Sequence, residues 1–221
     1  MGQFETERLM KLTRRREPIT DDGYPDYFDD RHKRKMLKLA EIRSLDVFYD
    51  LGCGDASILI LAVKEFDVKT AIGYESNVYR VRIARFKVKK ENLVDRISIV
   101  CGDMYKADLS KADVIFAMHP EYSGDLKQLY GRNIRKGTRL IKHDLPIVGY
   151  LPDKVDYPFY RITFPLKRAR SKKEWASAVL GGNHKLADDV WHELFYYQFT
   201  KGYDEDEISM FKRMLSRRIK R

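Results

Sequence analysis

The stretch Val47-Phe48-Tyr49-Asp50-Leu51-Gly52-Cys53-Gly54-Asp55-Ala56 constrains the fold of this chain more than any other. A short apolar run enters two closely spaced glycines, and Ala56 to Lys64 then follows helical periodicity. Such a join turns a buried strand sharply into a helix and brings backbone and helix N-terminus close to whatever binds there. The unit then repeats. Thr70 to Glu75 (TAIGYE) reads as a second strand and Asn77 to Lys90 as a second helix. ISIVCGD, ADVIFAMHP and TRLIKHD supply three further strands. Strands alternating with helices predict an α/β fold, a Rossmann-like seven-stranded sheet, mostly parallel, with helices on both faces. The glycine turn is expected at the carboxyl end of the first parallel strand.

The flanks follow different rules. Residues 1–30 read as a charged N-terminal arm, and a helix from Asp30 to Glu41 should turn Met36, Leu37, Leu39 and Ala40 inward. After residue 150 the rhythm changes. FYRITFPL and EWASAVLG read as strands joined by the basic segment Lys167 to Lys173, an antiparallel hairpin at the sheet edge with an exposed loop. Asp188 to Phe199 and Asp204 to Lys220 read as two helices, the second with Ile208, Phe211, Met214, Leu215 and Ile219 on one face. The expected organisation is an arm (1–30), a central α/β domain (31–182) and a C-terminal helical extension (183–221).

Charge and cysteine usage narrow the setting. Forty-three basic against thirty-three acidic side chains give a formal charge of +10, which favours nucleic acid, ribosomes or acidic protein surfaces as partners. Residues 1–50 are balanced, so the excess lies in Arg80 to Lys90, Arg132 to Lys142, Arg161 to Lys173 and Arg217 to Arg221. Cys53 and Cys101 form neither a disulfide framework nor a paired zinc motif, which points to a reducing, cytoplasmic compartment. The longest strongly apolar stretch, Ile58 to Val63, is too short to cross a bilayer. No membrane partner is expected.

The acids at the strand ends say what the glycine turn holds. Asp50, just before the first glycine, would repel a pyrophosphate but accepts hydrogen bonds from an ammonium. Glu75 lies twenty-one residues beyond Gly54, at the end of the next strand, where a carboxylate can accept from both ribose hydroxyls. The third strand runs into Cys101-Gly102-Asp103-Met104, where Asp103 can accept from an adenine amino group and Met104 can cover the ring. Three anchors spaced for amino acid, ribose and base form a ligand-sized set. Taken singly, each has a plainer use: a tight connection, a helix cap or a turn.

With DLGCGD, the Glu75 strand and the Gly102-Asp103-Met104 turn in order, the chain resembles the class I S-adenosylmethionine-dependent methyltransferases over roughly residues 35–180. Within them it is most similar to the small archaeal protein-lysine methyltransferases, distantly related to the histone H3 lysine-79 methyltransferases. MLKLAEI and GTRLIKHDLPI extend that likeness. The resemblance implies S-adenosylmethionine as cofactor, with Asp50, Gly52 and Gly54 around its methionine portion, Glu75 on the ribose, and Asp103 and Met104 on the adenine. Ala56 stands where that family has a third glycine, and Gly23-Tyr24-Pro25-Asp26-Tyr27 matches its tyrosine-proline segment only loosely.

The acceptor side is carried by fewer residues. The fourth strand ends in Met118-His119-Pro120-Glu121-Tyr122, where acceptor-side groups should lie. Two of these positions match the Asn-Pro-Pro-Tyr motif of methyltransferases acting on planar exocyclic amines. Tyr24, Tyr27, His119, Glu121 and Tyr122 are therefore the candidate catalytic residues, set beside the plainer reading of arm packing and an ordinary loop. The five histidines show no metal-ligand spacing, so no metal is expected. The acceptor implied by the resemblance is a protein lysine. The alternatives are RNA, with the Lys167 to Lys173 segment on phosphates, a small molecule, or a non-catalytic S-adenosylmethionine-binding protein. Oligomeric state stays open.

Overall fold

A computed structural model describes residues 29–117, 134–143, 146–147 and 149–182. Helix α1 (Asp30–Leu39) starts at Asp29, whose side chain accepts from the His32 backbone N–H at 2.8 Å. Met36, Leu37, Leu39 and Ala40 are buried, as the spacing predicts. Strand β1 (Val47–Leu51) leads through the glycine turn into α2 (Ser57–Phe66). Strand β2 (Thr70–Glu75) and α3 (Val78–Lys90) repeat the unit, with Asn77 capping two N–H groups of α3. Strands β3 (Ile97–Cys101), β4 (Val114–Ala117), β5 (Arg139–His143), β6 (Lys154–Asp156) and β7 (Phe159–Thr163) follow, and α4 (Lys172–Val179) ends the described part.

The strands form one seven-stranded sheet in the order β3-β2-β1-β4-β5-β7-β6. The first five are parallel, and β7 runs antiparallel to both β5 and β6. Strand order reverses between β1 and β4, so the carboxyl ends of those strands open the crevice where α/β sheets hold ligands. Helices α1, α2 and α3 bury Leu37, Leu59, Ala62, Val81 and Ala84 against Phe48, Ala71, Val114 and Phe116. The opposite face carries Tyr49, Leu51, Ile115, Leu140 and Ile162, covered by Leu109, Ile147 and Phe164. Trp175 of α4 is fully buried and its indole N–H donates to the Ile147 carbonyl at 3.0 Å, which docks α4 on that second face.

The late part of the chain corrects one expectation. An edge hairpin exists, but β6 and β7 form it, and EWASAV is the helix α4 rather than a strand. Ser171 explains the helix: its hydroxyl accepts from the Glu174 N–H at 3.1 Å, while Glu174 accepts from the Arg170 N–H at 2.5 Å. That Ser-x-x-Glu spacing is an N-terminal capping pattern, and it outweighs the strand-like composition around Trp175. The basic segment therefore links a strand to a helix. It is pinned beside residues 149–151, since the Leu151 N–H donates to the Lys167 carbonyl and the Ala169 N–H to that of Gly149. Lys167, Arg168, Arg170 and Lys173 remain exposed, as expected of that segment. Residues 1–28 and the two helices expected within 183–221 lie outside the described residues.

Candidate functional site

The glycine turn is held by strand β2. The N–H groups of Gly52 and Cys53 both donate to the Tyr74 carbonyl, at 2.8 and 2.9 Å, and the Gly54 N–H donates to Glu75 at 3.1 Å. The Ala56 N–H goes to the Cys53 carbonyl and the Ser57 N–H to Asp55. A phosphate-binding turn offers free N–H donors, whereas this one uses its donors to brace itself. Gly52 and Gly54 take positive φ values of 92° and 54°, which side-chain-bearing residues reach only with strain. Gly73 of β2 allows the close fit. A Cβ there would lie 2.5 Å from Cys53 Sγ and 2.7 Å from a Leu59 methyl.

Three carboxylates converge on this turn, all buried: Asp50, Asp55 and Glu75. Asp50 sits beside Gly73 in the β1–β2 register, so it shares a sheet face with Glu75 two residues further on. Glu75 accepts from Gly54 N–H through one oxygen and from Asn77 N–H at 2.8 Å through the other. Each oxygen keeps capacity for a further donor. Asp55 accepts from Ser57 N–H and pairs with the Lys87 ammonium from α3. Asp50 is the exception: its Oδ2 has no hydrogen-bond partner among the described residues. Burial pushes its carboxyl up to about 8, and the neighbouring Glu75 and Asp55 add to the shift. Burial likewise raises the Cys53 thiol, so this cysteine packs rather than reacts.

At the end of β3, Asp103 is exposed and caps a single 3₁₀ turn (Met104–Lys106) by accepting from the Tyr105 N–H at 2.9 Å. Met104 is half-buried against the second-face core. All six sequence-identified binding residues thus line the carboxyl ends of β1, β2 and β3. The candidate catalytic residues Tyr24, Tyr27, His119, Glu121 and Tyr122 lie outside the described residues. His143, which closes β5, is buried with its ring 5.2 Å from that of Phe159.

A family model for the ANTKMT methyltransferase domain matches residues 50–154. The protein-lysine N-methyltransferase of Saccharolobus islandicus is 37% identical over 123 residues, which span 55% of this chain and 76% of that protein. The chain belongs to the class I S-adenosylmethionine-dependent methyltransferases. The methyltransferase is also 27% identical over 124 residues to a lysine N-methyltransferase of Xenopus laevis that is named for ATP synthase, of which it spans about half (53%). Among solved structures, an RNA methyltransferase from Salinibacter ruber in complex with S-adenosyl-L-homocysteine superposes with a TM-score of 0.59. That protein is 28% identical, and the match covers 65% of this chain and 97% of the other.

The crevice of the methyltransferase fits its cofactor. A buried carboxylate oxygen with no partner is costly unless a donor arrives, and the cofactor's ammonium is such a donor. The turn's occupied amides and three acids disfavour an anionic ligand in the same place. Sequence reasoning missed Asp55, Lys87 and Gly73. A glycine inside the strand pattern TAIGYE was a readable sign of close approach, and an acid two residues before the helix is a readable cap. Lys87, thirty-two residues from Asp55, carried no sequence signal.

Proposed function

We propose that this enzyme transfers a methyl group from S-adenosylmethionine to the side-chain amine of a protein lysine. The observation that carries the reading is the 37% identity to a protein-lysine N-methyltransferase across three quarters of that protein's length. When bound, the cofactor supplies an electrophilic methyl group on a sulfonium. The chain's own residues bind and orient. Asp50, with Gly52 and Gly54, takes the methionine end; Glu75 accepts from the ribose hydroxyls while holding Gly54 and Asn77; Asp103 and Met104 hold the adenine. Tyr24, Tyr27 and the His119 to Tyr122 loop form the acceptor entrance. The acting domain is residues 31–182, with 1–30 as an arm and 183–221 as a helical extension.

An incoming lysine must be neutral to act as nucleophile, so proximity and deprotonation supply most of the acceleration. Turnover therefore rises with pH until another ionisation or unfolding intervenes. A reducing, cytoplasmic setting fits the two free cysteines. Among the described residues no helix is long and apolar enough to cross a membrane. The test is transfer of a labelled methyl group from the cofactor into separated native protein and RNA fractions, with the labelled residues mapped. Label on lysine-containing peptides is the expected result. Label confined to RNA would overturn the lysine assignment and leave the methyltransferase in place.

A further inference from the structure

Residues 167–173 carry five basic side chains and no acid, and none of them belongs to the cofactor crevice. On a loose loop such a run would simply be solvated, but here the backbone beneath it is fixed. The Leu151 N–H donates to the Lys167 carbonyl and the Ala169 N–H to the Gly149 carbonyl, both at 2.8 Å, with Arg168 bridged to Tyr150 between them. The segment thus passes residues 151, 150 and 149 in turn, and α4, capped by Ser171, docks through Trp175 on Ile147. Ile147 stands four residues beyond His143, the last residue of β5, so the two lie within about 14 Å of each other. This basic ledge therefore flanks the β5 side of the crevice, while the cofactor anchors stand at the ends of β1, β2 and β3. Its charge is uncompensated. The acids between residues 147 and 182 are Asp153, Asp156 and Glu174, and each is already paired, with Arg161, Lys35 and Arg170. Lys167, Arg168 and Lys173 are exposed and enter no ion pair among the described residues.

We propose that this ledge is a docking surface for an acidic stretch of the protein substrate, so that the favoured acceptor lysine has Asp or Glu about four to six residues away in an extended chain. The spacing follows from the ~14 Å between the end of β5 and Ile147, plus the reach of a lysine or arginine side chain. The inference rests on the protein-lysine reading and names the kind of protein that reading needs. An acidic polypeptide fits the ledge better than RNA does. Every aromatic ring between residues 149 and 182 is buried or half-buried, and Tyr150 packs into the second-face core, so no exposed ring there offers a base a stacking platform. A pinned backbone also lowers the ordering cost of docking.

The experiment uses the full chain with S-adenosylmethionine and two synthetic peptides that share one central lysine. One carries glutamates about four to six residues to either side of it, and the other has glutamines there. Methyl transfer is followed kinetically, and fluorescence anisotropy of the same peptides reads binding in parallel, so the ledge is judged even where turnover is slow. KM and Kd for the acidic peptide should lie about tenfold below those for the neutral one, a difference that three exposed charge contacts of modest strength supply. In about 1 M salt, where the screening length falls to about 3 Å, the preference should vanish. Lys167→Gln/Arg168→Gln/Lys173→Gln should also lose it, with kcat, the neutral peptide and the melting temperature unchanged. Arg170 stays in place because its pairing with Glu174 supports the start of α4. Arg82→Gln/Lys89→Gln/Lys90→Gln removes the same charge from the exposed side of α3 and should keep the preference. No preference in the wild type, equal loss in both triple variants, or ledge-dependent binding of a single-stranded RNA with none of the acidic peptide would each overturn the proposal. Methyl label entering RNA and neither peptide would instead overturn the protein-lysine reading beneath it.

Discussion

The glycine-turn crevice and the β5–β7–β6 edge treat buried charge in opposite ways. At the edge, Arg161 is buried with its guanidinium 2.5 Å from Asp153 and 2.9 Å from Glu41, and Lys154 also pairs with Glu41. Arg139 on β5 pairs with Asp46 at 2.6 Å and donates to the carbonyls of Ala40 and Glu41. This network ties the end of α1 to the antiparallel strands. Hydrogen bonds from Lys154 and then Arg161 hold the Glu41 carboxyl down at about 2. Across the sheet, Asp50 keeps an oxygen without a partner among the described residues and is pushed the other way, to about 8. Paired charge holds the frame together at the edge, whereas at the crevice an acid stands without a hydrogen-bond partner on one oxygen among the described residues.

The sharpest way to break this comparison is at Glu75, which serves both purposes. Glu75→Ala removes the acceptors proposed for the ribose and leaves two backbone N–H groups at the turn without their partner. Affinity for S-adenosylhomocysteine should fall by about 100-fold or more, since each charge-assisted bond contributes about 1.5–3 kcal/mol. Calorimetry on folded protein measures it, and a near-unchanged affinity would remove the proposed ribose clamp.

Asp50→Asn tests the unpaired acid through stability. A carboxyl raised from its unfolded value near 4 to about 8 contributes stability that is full below pH ~4 and lost as pH climbs through the folded value. Without cofactor, the wild-type melting temperature should therefore decline between pH ~5 and ~8, and Asp50→Asn should flatten that decline. Parallel declines in the two proteins would show that Asp50 is not the titrating group.

Arg161→Met should do the reverse at the edge. Losing a buried guanidinium from a cluster whose acids are partly exposed should cost about 1–3 kcal/mol by denaturant unfolding. Cofactor affinity should stay within about threefold of wild type, because the pair lies outside the crevice. A large loss of affinity would mean that frame and site are coupled. Ala56→Gly should have the smallest effect. Ala56 adopts φ 66°, where glycine relieves about 1 kcal/mol of strain, but its fully buried methyl contributes about 0.8 kcal/mol by packing. Thermal unfolding should shift by no more than a few degrees in either direction.

By itself the sequence determined the parallel half of this protein. Strands β1, β2 and β3 are short, largely apolar runs that end at glycine or a helix cap, so period and punctuation place them, and DLGCGD with Glu75 and Asp103 marks the crevice. The edge was less legible. The chain around Trp175 has strand-like composition, and the Ser171–Glu174 cap together with the buried indole on Ile147 makes it a helix. Only the tertiary structure decided which acids are paired. Lys87 meets Asp55, and Arg161 meets Glu41, because the sheet brings distant segments together, and no local spacing encodes that. Burial then settles the chemistry: removing water makes a carboxylate costly wherever no donor replaces it, and among the described residues none reaches Asp50 Oδ2.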